Sequence, residues 1–256
     1  MILYENLPRP TIFAHRGASA HAPENTLAAF QLALDYHAPA IELDTKLSAD
    51  GEVVVIHDQT VDRTTNGQGA VHSLPLATLR TLDAGASFHP KYIGESIPTL
   101  SEVFEAVGHK LVINIEITNY STPFDDLPVK VAELVKRHAL QKSVIFSSFF
   151  ASNLRRTQRI LPEVPRGLLA FAGIQGYYAR SWLGFHRLYE AVHPEGSDVT
   201  PGLIKRAHRT HRRIHAYTIN DPNDMRRLFA WGIDGIFTDD PLLAQQILAE
   251  STLPQT

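Results

Sequence analysis

The sequence predicts an α/β protein whose parallel strands close into a barrel, and three observations predict it. Short apolar runs of strand-forming residues alternate with longer stretches of helical periodicity, the pattern of parallel βαβ units. Eight such runs can be counted along the chain. The chain has 256 residues, an ordinary length for one α/β barrel, and no low-complexity tract or linker divides it. The expectation is a TIM (β/α)8 barrel with a small insertion after strand two, with residues 1–256 forming one domain.

The first strand is read at Thr11–His15. A helix follows from about Asn25 to His37, with Leu27, Phe30 and Leu34 spaced along one face. The second strand is Ala40–Thr45. The remaining strands are Leu111–Ile117, Ser143–Ser147, Arg166–Ala170, Leu188–Val192, Arg213–Thr218 and Asp234–Thr238. Two helix starts are well signalled: Asp221-Pro222 and Asp240-Pro241 each place an N-cap before a proline with preset φ. The last helix is expected from Pro241 to about Glu250. The stretch between strand two and Leu111 is longer than one crossover requires. Within it, Asp50-Gly51 reads as a two-residue hairpin loop. Symmetric pairing about that loop sets His57 opposite Asp44. The rest, at about 58–98, reads as a loop-rich cap beside the barrel mouth.

Composition narrows the function. Hydrophobic residues are 44% and charged residues 20%, as in a globular protein with a sizeable core. The net charge of −3 argues against a generic pull toward nucleic acid. With zero cysteines there are no disulfides, thiolate metal sites or cysteine nucleophiles, which suits a cytoplasmic protein. No apolar run is long enough to span a bilayer, so no integral membrane segment is expected.

Catalytic groups of such barrels stand at the C-terminal ends of the strands. His15-Arg16-Gly17 ends strand one, Glu42 and Asp44 end strand two, and Glu116 ends the strand begun at Leu111. Glu42 and Asp44 are two apart and share a strand face. Two acids aimed into a barrel repel each other and lose hydration, and a cation relieves both costs. With Glu116 they make three hard oxygen donors, a set suited to one divalent cation, Mg²⁺ or Ca²⁺. The competing reading pairs each acid with a barrel lysine or arginine. His15 and His57 can act as an acid/base pair near neutral pH. Arg16 offers a planar fork to a phosphate oxygen or, equally, a salt bridge to a barrel acid. Asp58 and Asp62 are turn or supporting candidates.

His15-Arg16-Gly17 with Pro23-Glu24-Asn25-Thr26 resembles the opening of the glycerophosphodiester phosphodiesterase family. The likeness continues through Glu42-Leu43-Asp44, Asp50-Gly51, His57-Asp58, the segment Arg63–Gly69, Pro98-Thr99-Leu100 and Asn114-Ile115-Glu116. It ends with Thr218-Ile219-Asn220 and the run Gly232–Asp239, so it spans essentially the whole chain in order. The resemblance implies Glu42, Asp44 and Glu116 as metal ligands, His15 and His57 as the acid/base pair, and Arg16 near the phosphate. It implies a small-molecule glycerophosphodiester as substrate, with glycerol 3-phosphate and an alcohol as products. Attack by water and attack through a cyclic phosphate both stay open. Two positions depart from the family pattern. Thr118 stands where a lysine is common, which leaves a positive charge to be found elsewhere, for example from Arg180 or Lys91. Tyr217 stands where tryptophan is common.

Two other functions fit the same residues. One is a lysophospholipase D or sphingomyelinase D-like phosphodiesterase, for which Tyr177, Tyr178, Trp182, Leu183 and Phe185 could line an acyl channel if they do not simply pack a helix onto the barrel. The other is a non-catalytic barrel that binds glycerol phosphate.

Overall fold

The computed structural model describes residues 6–181 and 189–252. In chain order the elements are β1 (Thr11–Ala14), α1 (Leu27–Asp35), β2 (Ala40–Leu47), β3 (Val53–Val55), α2 (Leu76–Leu79), α3 (Leu100–Val107), β4 (Val112–Ile117), α4 (Leu127–Arg137) and β5 (Val144–Ser148). They continue with α5 (Ala151–Ile160), β6 (Arg166–Ala170), α6 (Tyr177–Arg180), β7 (Ala191–Pro194), α7 (Pro201–Arg209), β8 (Arg213–Ala216), α8 (Pro222–Ala230), β9 (Gly235–Thr238) and α9 (Pro241–Thr252). Eight strands pair in parallel in the order β1-β9-β8-β7-β6-β5-β4-β2, and the β1–β2 pairing closes the ring. This is a TIM barrel.

Local chemistry sets the helix starts. The Thr26 side chain caps α1 by accepting from the Ala29 amide. Thr99 and Glu102 form a reciprocal capping box on α3. The Asp221 carboxylate accepts from the amides of Asn223 and Asp224, and Asp240 from that of Leu243, so both predicted caps form.

Two expectations need correction. β7 runs Ala191–Pro194 instead of Leu188–Val192, and Leu188 lies outside the described residues. Pairing with β6 sets this register, Gly167 against Ala191 through Ala170 against Pro194. Pro194 lacks an N–H, yet its carbonyl still accepts from the Tyr217 amide. The hairpin loop is also longer than expected. Thr45 pairs with Val55 and Leu47 with Val53, and the Ser48 amide donates to Glu52 O at 3.0 Å. The loop therefore holds Ala49, Asp50 and Gly51, with Gly51 at φ +81°, the left-handed third position such a loop requires. The register slips by one residue. Ile56, not His57, meets Asp44, through an amide-to-carbonyl bond of 3.0 Å.

Helices and strands bury a large apolar layer between them, with Phe30, Phe104 and Phe146 among its fully enclosed side chains. Inside the barrel, Phe13, Ala40, Val112, Ile145 and Phe237 form a plug. His193 and His215 lie in this plug fully buried, their rings joined Nε2 to Nδ1 at 3.2 Å. A Cβ on Gly167 would lie 2.3 Å from the His193 ring, so only glycine fits there. Residues between β3 and α3 bury a small core of their own, with Val61, Val71, Leu79 and Ile97. Tyr92 ties this segment to the barrel through its hydroxyl, which donates to His21 O at 2.8 Å. Among the described residues no helix is long and apolar enough to cross a membrane.

Candidate active site

At the strand C-termini lies a cavity of about 220 Å³. His15, Arg16, Glu42, His57, Asn114 and Glu116 line one side, and Phe149, Leu169, Tyr217 and Phe237 the other, with Thr218 also at the wall. Glu42 and Asp44 share one face of β2 because strand alternation turns every second residue the same way, whereas His15 and Arg16 follow the end of β1 and His57 follows β3. β2 pairs β4 in register with Asp44 beside Glu116, which brings the third carboxylate in from the next strand.

Oxygen atoms of Glu42, Asp44 and Glu116 lie within 4.8 Å of one another. The three differ in charge preference. Burial, then the neighbouring Asp44 and Glu116 charges, push Glu42 well above the ordinary carboxylate range. Burial and the Asp44 charge push Glu116 up to about 8, although Tyr120 donates its hydroxyl to Glu116 Oε1 at 2.7 Å. Burial also opposes ionisation of Asp44, but the Arg16 cation, His57 and a bond from Asn25 outweigh it and hold Asp44 low. Asn25 Nδ2 donates to Asp44 Oδ2 at 2.9 Å from a left-handed backbone, φ +58°. Glu42 Oε1 is buried without a hydrogen-bond partner. An orphaned carboxylate oxygen beside two more acids is the donor set a hard cation would satisfy.

Arg16 also sits in a left-handed conformation, φ +56°, which turns its amide toward Glu42 Oε2 at 3.0 Å. Its guanidinium bonds Glu24 at 2.9 Å, with Nε 3.4 Å from Asp44. The salt-bridge reading of Arg16 is thus realised, while the residue still lines the cavity.

Both histidines reach the cavity, and each has a carboxylate behind it. His15 Nδ1 lies 2.7 Å from Asp239 Oδ1, and its Nε2 is 4.0 Å from Glu42 Oε2. His57 Nδ1 lies 2.6 Å from Asp58 Oδ1. A carboxylate on Nδ1 fixes the tautomer that leaves Nε2 for other work. Asp58 in turn meets Arg63, and Arg63 forks onto Glu24 at 2.7 and 2.8 Å. A chain of alternating charge, Arg16–Glu24–Arg63–Asp58–His57, so links the barrel to the insertion. Asp62 does not join it; its carboxylate accepts from the Gly69 amide in a turn.

Reading the sequence missed the supporting residues Asn25, Tyr120 and Asp239, and it missed Lys46. It is buried on β2, two positions past Asp44, and its ammonium donates to Thr118 O at 3.0 Å and Thr118 Oγ1 at 2.8 Å. Burial lowers it to about 8 against the pull of Asp44 and Glu116. The positive charge absent from position 118 is therefore present one strand over, hydrogen-bonded to the residue at that position. The same two-residue period that grouped Glu42 with Asp44 includes it. Neither expected substitute joins the cavity. Arg180 bonds the carbonyls of Phe171 and Gly173 and pairs with Asp198, and Lys91 lies over the Tyr92 ring. Of the residues that could line a channel or pack a helix, Tyr177 and Tyr178 are exposed; Trp182, Leu183 and Phe185 lie outside the described residues.

Comparison with known proteins places the chain among relatives of one family. The profile of the glycerophosphoryl diester phosphodiesterase family matches residues 15–243. A glycerophosphodiester phosphodiesterase of Caldanaerobacter subterraneus is 39% identical over 232 residues, covering 90% of this chain and 94% of its own. Among solved structures, an Oleispira antarctica phosphodiesterase in complex with the product sn-glycerol-3-phosphate superposes with a TM-score of 0.87 at 31% identity, covering 96% and 98% of the two chains. A glycerophosphodiester phosphodiesterase from Agrobacterium tumefaciens gives 0.80 at 32%, covering 92% and 99%. Fold, mouth and matches together define a class, the phosphoric diester hydrolases built on a TIM barrel. Within that class the chain belongs to the glycerophosphoryl diester phosphodiesterase family.

Proposed function

We propose that the enzyme hydrolyses glycerophosphodiesters to glycerol 3-phosphate and an alcohol with one divalent cation, Mg²⁺ or Ca²⁺, and the His15/His57 pair. The observation that carries the reading is the convergence of three carboxylates within 4.8 Å beneath two histidines that each rest on a carboxylate of their own. Glu42, Asp44 and Glu116 would hold the cation, which when bound supplies positive charge to a phosphoryl oxygen. Arg16 adds a second positive charge beside the phosphate. His15 Nε2 takes the proton of the attacking nucleophile, either water directly or the glycerol hydroxyl with water opening the cyclic phosphate afterwards, and Asp239 stabilises the imidazolium that forms. His57 Nε2 gives a proton to the leaving alkoxide, and Asp58 keeps its ring in the donating orientation. Tyr120 restrains Glu116 through its hydroxyl, and Lys46, bonded to Thr118, adds a positive charge nearby. The segment at about 58–98 acts as a cap that sets Asp58 and Arg63 behind His57 at the mouth.

A panel of glycerophosphodiesters assayed with Mg²⁺, Ca²⁺ and chelator, reading released glycerol 3-phosphate, tests the reading. Activity should vanish on chelation and return with one of the two ions. Full activity after verified metal removal would overturn the metal assignment.

A further inference from the structure

The end of the barrel away from the catalytic mouth holds a second cavity, of about 340 Å³ against about 220 Å³ for the first. It lies among the strand N-termini. Arg9 precedes β1, Glu190 precedes β7, and Arg212 and Arg213 lead into β8, while His208 and His211 come from the end of α7 and the turn after it. Among the described residues every side chain that lines it is ionisable and none is apolar. This face of such a barrel ordinarily serves stability, and a purely stabilising belt would give each cation an acid.

The charges here are not matched in that way. Lys205–Arg213 carries five lysines and arginines, two histidines and no acid, in a chain whose net charge is −3. The C-terminal dipole of α7 accounts for Arg206, His208 and Arg209 in its last turn, but not for the cations beyond it. The two carboxylates that meet this cluster are already engaged. Arg166 donates to Glu190 from its backbone amide, Nε and Nη2 at 2.7–3.2 Å. Asp234 meets His208 Nε2 at 2.8 Å and accepts from the Ile214 amide at 2.9 Å, with Arg9 3.6 Å away. Arg212 is fastened to carbonyls instead: its Nε donates to Tyr189 O at 2.7 Å and its Nη1 to Thr210 O at 3.0 Å. Those bonds fix the guanidinium beside the cavity but supply no counter-charge. Partial burial holds Arg212 below its ordinary value, and the Glu190 charge offsets only part of this.

We propose that this cavity is a second anion site, which takes free phosphate or the phosphate group of a small phosphorylated molecule. Guanidinium forks from far-apart parts of the chain, with two imidazoles beside them, offer more donors than a carboxylate's two oxygens can receive. A phosphate monoester brings three acceptor oxygens and a charge of about −1.5 to −2 at neutral pH. The concave shape favours a small molecule over a membrane surface or a duplex, and the volume falls within the roughly 300–1,000 Å³ of small-molecule pockets.

Calorimetric titration of Mg²⁺-loaded enzyme with inorganic phosphate and with glycerol 3-phosphate, at physiological ionic strength, tests this. Arg9→Gln and Arg212→Gln should each weaken binding at one site by roughly tenfold or more, while kcat and KM for glycerophosphocholine in phosphate-free buffer stay unchanged. Binding at the catalytic cavity, seen as competitive inhibition, should survive both changes. The Arg9 side chain is 59% exposed, so its variant keeps the test sound should Arg212→Gln unfold the turn. Arg209→Gln, in the same basic run but outside the lining, should change nothing. Glycerol 3-phosphate held more tightly than phosphate would make the product of the proposed reaction the occupant; equal affinities would mean that the phosphate group alone is read. Titrations that the Arg9 and Arg212 variants leave unchanged would overturn the proposal. So would equal weakening by Arg209→Gln, binding seen only at low salt, or binding of anionic vesicles or duplex DNA without binding of phosphate.

Discussion

Glu42 and Asp44 stand two residues apart on one strand face and have opposite charge preferences. Asp44 receives Asn25 and the Arg16 cation and stays ionised; Glu42 keeps one oxygen orphaned and resists ionisation. Their shared face is legible in the sequence, because strand period two depends on spacing alone. The supporting residues are not. Asn25 reaches Asp44 only through a left-handed turn, and Tyr120 reaches Glu116 from a loop. The division of roles predicts distinct variants. His15→Ala and His57→Ala should each lower kcat by roughly 10²–10⁴-fold with metal affinity little changed in calorimetric titration. Glu42→Ala and Glu116→Ala should weaken metal binding itself. A nitrophenyl diester should partly rescue the variant that has lost the proton donor, assigned here to His57, and not the other. Histidine variants that lose the metal as fully as the carboxylate variants would refute the division.

At the scale of elements, β2 outruns β1 at the mouth and pairs instead with β3, so the barrel grows a ribbon at its rim. Asp50-Gly51 signals that ribbon in the sequence, but not its register. A two-residue and a three-residue loop share the same residues, and only the left-handed third position of Gly51 decides between them. His57 reaches the cavity despite the slip, because the chain leaves the strand after Val55. From there Arg63 braces it through Asp58 and braces the barrel through Glu24. Arg63→Ala should lower kcat roughly 10–100-fold, the scale seen when supporting partners of active-site groups are lost, and should alter the pH profile of kcat/KM. A change confined to thermal stability, with both kinetic parameters intact, would show that Arg63 only fastens the insertion. Shortening the insertion should impair turnover on every diester while circular dichroism still reports a folded barrel.

For the whole molecule, the barrel was readable because eight strand patterns alternate with helices in one uninterrupted chain. Its filling was not, since histidine is an uncommon plug and nothing local marks His193 and His215 as partners. Burial holds His193 down at about 3 and His215 well below its ordinary value of 6.5. In the unfolded chain both titrate near 6.5. Below that pH the unfolded state takes up protons that the folded state refuses, so stability falls as pH drops toward about 3. Each histidine contributes up to about 1.4 kcal/mol per pH unit in that window. Urea unfolding at neutral and mildly acidic pH should show this loss. His193→Gln should shrink it relative to the unaltered protein, and an identical pH dependence in the variant would refute the assignment.

Three acids packed within 4.8 Å also bear on how long the molecule lasts. If a divalent ion holds them together, the folded form gains stability in proportion to the logarithm of free ion over its dissociation constant. Where ions are scarce, the barrel opens more often and proteases find it sooner. Supply of the ion would then set the amount of enzyme as well as its rate. Protease half-life with and without Mg²⁺ or Ca²⁺ measures this directly, and Glu42→Gln, which removes one anionic oxygen donor from an ion that would otherwise draw Glu42 into its charged form, should leave the ion-free half-life little changed while abolishing most of the protection the ion confers.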